Sequence, residues 1–408
     1  MICQTYKKNS QCDNKNEFID FIFGISILSL IFLDSNLVGA LGMANSRTTL
    51  AYTPFVLFAL VQTFRYGIGI WFKYKIINSI FLLGLLCLVL NFSVERNVFK
   101  TVLLYFWLPF LLASYLTQCT PKQNQILQKI VLLFLFVEIG LAIYERVTLS
   151  VVFATEDIYS MMNRNGDTWS FRASALYGHP LANAMAIMII TLFMITSKSI
   201  PSKYRIFFFF FTLAGLLCFN ERGNILVFVS ASLPILSKIF KEAKGKEKVL
   251  LCIILTIMII VGVYLLTTTD LGGRLFHSEN NFSKHDGSAK ARMEAFDVFN
   301  RLNYQELLWG GDNLYDRMLI LLNLVGIENG YISIILRYGL IIGIPTILLY
   351  MYFQWSRLMV YPFIQRTILF ASFHVIAFSN PHITSPAPWV IFIVSYYAFR
   401  PKQIIIKK

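Results

Sequence analysis

Four charged residues, far apart in the chain, stand where apolar runs give out, and their types suit the chemistry of phosphate esters. Arg172 precedes an apolar run in SFRASALYGHPLANA, and Arg222 lies in the tight turn CFNERGN. Arg292 falls in the polar segment SAKARMEAFDVFNRL, while Glu328 and Asn329 lead into GYISIILRYGL. Arginine carries a rigid fork of donors that stays charged and matches two phosphate oxygens at once, so several together suit a pyrophosphate. If that pyrophosphate leaves, the same charge stabilises what builds up in the transition state. A carboxylate on the opposite side can take the proton of an attacking hydroxyl. Each arginine also admits a plainer role, as an interfacial anchor whose stem lies along hydrocarbon while its head reaches the lipid headgroups.

Two further residues follow Arg172. His179 and Asn183 are four positions apart, which puts them on one face of a helix and within reach of one headgroup. Capping or helix packing explains them equally well. The Trp309-Gly310-Gly311-Asp312 stretch reads as an ordinary turn rather than a phosphate cradle. His277, His285 and His382 lack ligand spacing and read as solvated loop histidines. The six cysteines, at 3, 12, 87, 119, 218 and 252, give neither a disulfide framework nor a metal-binding spacing.

The elements that must position these groups are membrane helices. Hydrophobic residues make up 56% of the chain and charged ones 14%, against about 25% charged in soluble domains; mean hydropathy is +0.62. The chain is expected to be an all-α polytopic membrane protein. Crossing ~30 Å of hydrocarbon takes about 20 residues, and twelve such runs can be placed. They are Phe18 to Ala40, Leu50 to Tyr66, Ile76 to Phe92, Val98 to Leu116, Leu127 to Tyr144, Tyr177 to Thr196, Tyr204 to Phe219, Asn224 to Phe240, Val249 to Leu266, Tyr331 to Phe353, Tyr361 to Phe378 and Pro386 to Ala398. The first run lacks a small-residue cleavage site and reads as a retained span. Ionisable residues within the spans are few, chiefly Asp34, Glu138 and His374.

With the N-terminus inside, alternate connections gather 22 of the 36 Lys and Arg residues on one face. That is the cytoplasmic excess expected of short loops, so the net charge of +14 needs no nucleic-acid partner. Both termini are then cytoplasmic. Residues 1–266 hold nine spans, with a short outer loop at 145–171; residues 267–330 form a large outer loop; residues 331–408 hold three spans and a cytoplasmic tail. The large loop carries six basic residues and two amphipathic segments. One runs from a Ser288 cap through Ala295, Phe296, Val298, Phe299 and Leu302; the other covers Leu314 to Val325. No half of the chain repeats the other, which weakens a transporter reading.

Taken in order, the landmarks resemble the superfamily of bacterial O-antigen polymerases and ligases. They are Arg172 followed by GHPLANA, the ERGN turn after the seventh span, a large outer loop with an early helical arginine, and a residue-Asn pair before a span containing YGL. The resemblance covers about Phe171 to Leu340. It implies a polytopic inner-membrane glycosyltransferase with a periplasmic loop between spans 9 and 10, acting on an undecaprenyl-pyrophosphate-linked oligosaccharide without metal or other cofactor. Arg172, Arg222 and Arg292 would hold the pyrophosphate, with His179, Asn183 and Asn329 contacting pyrophosphate or glycan and Glu328 as base. Ligases of this superfamily carry His before the exit Asn, whereas this chain has Glu328, which tilts the expectation to a polymerase, with a chain-length regulator protein as partner. A ligase acting on lipid A core and a flippase that makes no bond are the alternatives. A flippase needs a polar cavity through the bundle and no large outer loop.

Overall fold

Runs that are apolar on every face and too long for a turn can satisfy their backbone in hydrocarbon only as helices, and that is what they form. The computed structural model describes residues 10–33, 36–40, 42–43, 47–91, 98–153, 171–268, 294–322 and 327–401. Helix takes up 84% of these residues, and no strand occurs among them. In chain order the helices are α1 (Ser10–Phe32), α2 (Asn36–Ala40), α3 (Arg47–Tyr66), α4 (Lys75–Asn91) and α5 (98–116). After these come α6 (Pro121–Thr148), α7 (Pro180–Thr196), α8 (Ser202–Phe219), α9 (Arg222–Glu242) and α10 (Gly245–Thr268). The remainder are α11 (Tyr304–Trp309), α12 (Asp312–Leu321), α13 (Gly330–Leu358), α14 (Phe363–Phe378) and α15 (Pro386–Phe399).

Six of these, α5, α6, α8, α9, α10 and α13, are long and apolar enough to cross a membrane. Helices α4, α7, α14 and α15 are apolar but shorter. The first expected span divides, since α1 stops at Phe32 and α2 begins at Asn36. The tenth also divides, because α13 breaks at Gly339, which has φ 66° and ψ 177°. That break has a local cause. The backbone of Gly310 sits so close to α13 that a side chain on it would strike the backbone at Gly339, and one on Gly339 would strike the backbone of Leu308 and Trp309; Gly311 N–H donates to Leu336 O at 2.9 Å. The Gly310-Gly311 turn is thus a docking point for the large loop. Its two N–H groups go to Glu306 O and Leu336 O, not to an anion.

From that point the described part of the large loop folds onto the first turns of α13. Ala295, Val298, Leu314 and Met318 bury themselves against Ile327, Ile332 and Leu336. The expected second amphipathic segment is helical in α12 as far as Leu321, its residues 323–325 lying outside the described residues, and only the end of the first is described, as helical residues 294–297 and the 3-10 turn Val298–Arg301. Ser288 and Asp34 lie outside the described residues. An Asn303/Glu306 capping box starts α11, and Arg317 at 2.7 Å helps hold the Glu306 carboxyl below the usual carboxylate range.

At the centre stands α7, every residue of which is buried except Ala182. Helices α6, α8, α9, α14 and α15 surround it. Small polar pairs tie it in, as membrane helices allow: Thr191 and Thr212 hydroxyls meet at 2.6 Å. Arg205 Nε donates to Ile195 O at 2.7 Å, placing a cation at the C-terminal end of the helix, where its dipole favours one.

Candidate functional site

The site is built at the other end of α7, from the last turn of α6 upward. Glu145 is fully buried there. Its Oε2 accepts N–H bonds from Ser174 at 2.7 Å and Ala175 at 3.0 Å, and its Oε1 accepts from Val152 at 2.9 Å. The neighbouring Arg146 donates to Phe171 O at 2.8 Å. Asn183, inside α7, donates to Ser174 O and accepts from Tyr177 N–H at 3.0 Å. Three side chains therefore strap down residues 171–178, firmly enough to hold Ala175 at φ 37°, a left-handed conformation that disfavours a Cβ.

Arg172 emerges from this strap beside the α8–α9 turn. Ala173 N–H donates to Cys218 O at 3.1 Å, and the Asn220 amide reaches Phe171 O at 3.4 Å. Asn220 ends α8 at φ 56°, which turns the chain so sharply that Glu221 alone separates it from α9. The Arg172 guanidinium forms an ion pair with Glu221. Arg222, half-buried, is the first residue of α9. Two arginines fifty positions apart in sequence thus meet at one short turn.

His179 caps α7, its Nδ1 accepting the Leu181 N–H at 3.2 Å, so the proton of the neutral ring belongs on Nε2. The ring of His382 lies 4.6 Å from that of His179. His382 is half-buried rather than solvated, because Asn380 holds its turn: the Asn380 amide donates to Leu181 O at 3.2 Å and accepts from His382 N–H at 2.9 Å.

The exit of the large loop reaches this same turn. Gly330 packs so tightly on it that a Cβ would strike the Ile383 side chain and stand 2.8 Å from Asn380 O. Just before it, Asn329 caps α13, its Oδ1 accepting from Tyr331 N–H at 3.0 Å and Ile332 N–H at 3.1 Å. Glu328 is half-buried on the approach to that cap. Beside the turn opens a cavity of ≈ 410 Å³, lined by Tyr177, Ala182, Met185, His382, Ser385 and Pro386 among others.

Of the residues singled out from sequence, Arg172, His179, Asn183, Arg222, Glu328 and Asn329 therefore belong to one end of the bundle. Arg292 lies outside the described residues, as do His277 and His285. Two of them also shape the site: Asn183 and Asn329 are buried, Asn183 with both amide atoms engaged by Ser174 O and Tyr177 N–H and Asn329 with its carbonyl oxygen engaged in the α13 cap. Glu145 and Asn380 were not expected there, and Glu221, expected only as part of the tight turn, pairs with Arg172. An adjacent Glu145-Arg146 pair closing a long apolar run was a usable signal for the first. Among the described residues, no three His, Cys, Asp or Glu side chains gather as metal ligands would. What the rim offers is two guanidinium groups, an imidazole and carboxylates at Glu221 and Glu328, next to a largely apolar cavity. No family model and no curated protein matches the chain.

Proposed function

We propose that the chain is a surface-polysaccharide polymerase of a bacterial inner membrane. In this reading it has about twelve spans, cytoplasmic termini and a periplasmic loop at 267–330. Its donor is a growing glycan on undecaprenyl pyrophosphate, and its acceptor is the terminal sugar of a second lipid-linked repeat unit. A chain-length regulator and the surrounding lipid are its partners. The acceptor hydroxyl oxygen attacks the anomeric carbon as the bond from that carbon to pyrophosphate breaks, with inversion, and the hydroxyl proton passes to Glu328. Arg172 and Arg222, with Arg292 on sequence grounds, take up the charge that grows on the leaving pyrophosphate. Glu221 keeps Arg172 in place, and the apolar cavity leaves room for sugar rings or the first isoprene units.

The observation that carries this reading is the Arg172–Glu221 ion pair at the α8–α9 turn, at the same end of the bundle as the Glu328-Asn329 exit. The test is a lipopolysaccharide gel of a clean deletion, with lipid-linked intermediates extracted alongside. Core bearing a single repeat is the expected result. Bare core with long lipid-linked chains would identify a ligase, and bare core with single lipid-linked units held inside would identify a flippase. Alanine at Arg222 or Arg292 should then abolish long chains at normal protein level; ordinary chain lengths in both variants would sink the mechanism.

A further inference from the structure

The largest cavity among those described lies at the far end of the bundle from this rim. Helix α6 connects the two ends: Glu145 is in its last turn, whereas Lys122 and Gln123 are in its first, roughly 35 Å away at 1.5 Å per residue. The groove there measures ≈ 840 Å³. Its walls come from the start of α1, the end of α3, the connection after α3, the end of α5 and the start of α6. Its lining includes Glu17, Asp20, Gln62, Arg65, Lys73 and Lys122.

The lining carries both signs of charge. Asp20, 8% exposed, pairs with Lys122 at 3.3 Å, and Glu17 lies one turn before it. Arg65 and Lys73, both exposed, add two further cations from α3 and the connection after it. Gln62, three residues before Arg65, is 1% exposed, yet its amide nitrogen has no hydrogen-bond partner in the protein. A buried amide donor left unmatched is costly, and a ligand rich in oxygen would supply the acceptor after a turn of the side chain's last torsion. The same helices α1 and α3 expose Phe18, Phe21, Leu60 and Phe64, an apolar surface suited to acyl chains. A free anion would gain nothing from either the acidic residues or that surface.

We propose that this groove binds a phospholipid with a phosphoethanolamine headgroup. Its phosphate sits between Arg65, Lys73 and the Gln62 amide, its ammonium faces Glu17 and Asp20, and its acyl chains run down α1 and α3. The site stands on its own geometry and does not depend on the transferase reading.

The experiment is lipid titration of the purified, delipidated full chain, read by native mass spectrometry. Phosphatidylethanolamine, phosphatidylglycerol and soluble glycerophosphoethanolamine serve as probes. Phosphatidylethanolamine should be retained about tenfold more tightly than phosphatidylglycerol, a difference the loss of one charged contact would produce. Soluble headgroup should bind far more weakly than the lipid. The double variant Arg65→Gln/Lys73→Gln, at exposed positions that the fold tolerates, should lose phosphatidylethanolamine retention, and Glu17→Gln should remove the preference between the two lipids. Equal retention of both lipids by the unaltered protein, or unchanged binding in the double variant, overturns the site. Soluble headgroup binding as tightly as lipid would assign the groove to a free phosphate ester and overturn the lipid assignment.

Discussion

Helices α7 and α10 are both apolar on every face, yet they live in opposite surroundings. In α7 only Ala182 escapes burial; in α10, just 6% of the Gly245–Tyr264 stretch is buried, with Ile260 62% exposed and Val263 55% exposed. Lipid tails are as apolar as leucine, so composition tells that a helix is in the membrane but not where in the bundle it stands. What separates the two is polar detail. Helix α7 opens on His179, Pro180 and Asn183 and meets Thr212 and Arg205 from its neighbour, whereas the Thr267 hydroxyl of α10 bonds back within its own helix. The helix with polar ties is the one that carries the candidate rim.

The sharpest way to test that difference is to cut a polar tie on the central side and a matched one on the peripheral side. Glu145→Ala leaves the N–H groups of Val152, Ser174 and Ala175 without their acceptor, each costing about 1–3 kcal/mol. Loss of several kcal/mol should be seen as failure to yield a monodisperse, folded protein in detergent. Thr267→Ala, which removes only an exposed hydroxyl's bonds within its own helix, to Val263 O at 2.9 Å and Tyr264 O at 3.1 Å, should change the unfolding midpoint little. Similar behaviour of the two variants would break the comparison.

The central helix also packs differently, which sets the next effect in size. Ile190 is fully buried, and Ile190→Ala should destabilise by about 2–5 kcal/mol through lost contacts and a cavity. Ile260→Ala exchanges protein contact for lipid contact and should stay within about 0.5 kcal/mol. Chemical denaturation in mixed micelles would measure both. Asn380→Ala comes after these, at about 1–3 kcal/mol, since it removes the amide that joins Leu181 O to the His382 turn. It should also lower polymer length if that turn seats the loop exit.

This contrast explains what could be read from the sequence. Helical class, membrane residence and the approximate positions of most apolar helices follow from run length alone. Arg172, Arg222 and Glu328 stood out because a charge at the end of a run has few places to go. The strap on residues 171–178 did not, because it depends on Glu145 reaching backbone N–H groups 29 and 30 positions away, and no local pattern encodes such a reach. The His179–His382 contact joins residues about two hundred positions apart for the same reason. The break of α13 at Gly339 was hidden by a glycine that reads as tolerable within an apolar run, until Gly310 is seen to need the space.

The smallest expected effect concerns the imidazole at the rim. His179 caps α7 through Nδ1, which accepts the Leu181 N–H at 3.2 Å. His179→Asn keeps an acceptor of the kind that caps helices well, and its unfolding midpoint in mixed micelles should stay within a few tenths of a kcal/mol of the unaltered protein's. His179→Ala removes the acceptor and should cost about 1 kcal/mol. Equal midpoints for the two variants would mean that the cap adds nothing, and would leave the ring contact with His382 at 4.6 Å as what ties His179 to the rim.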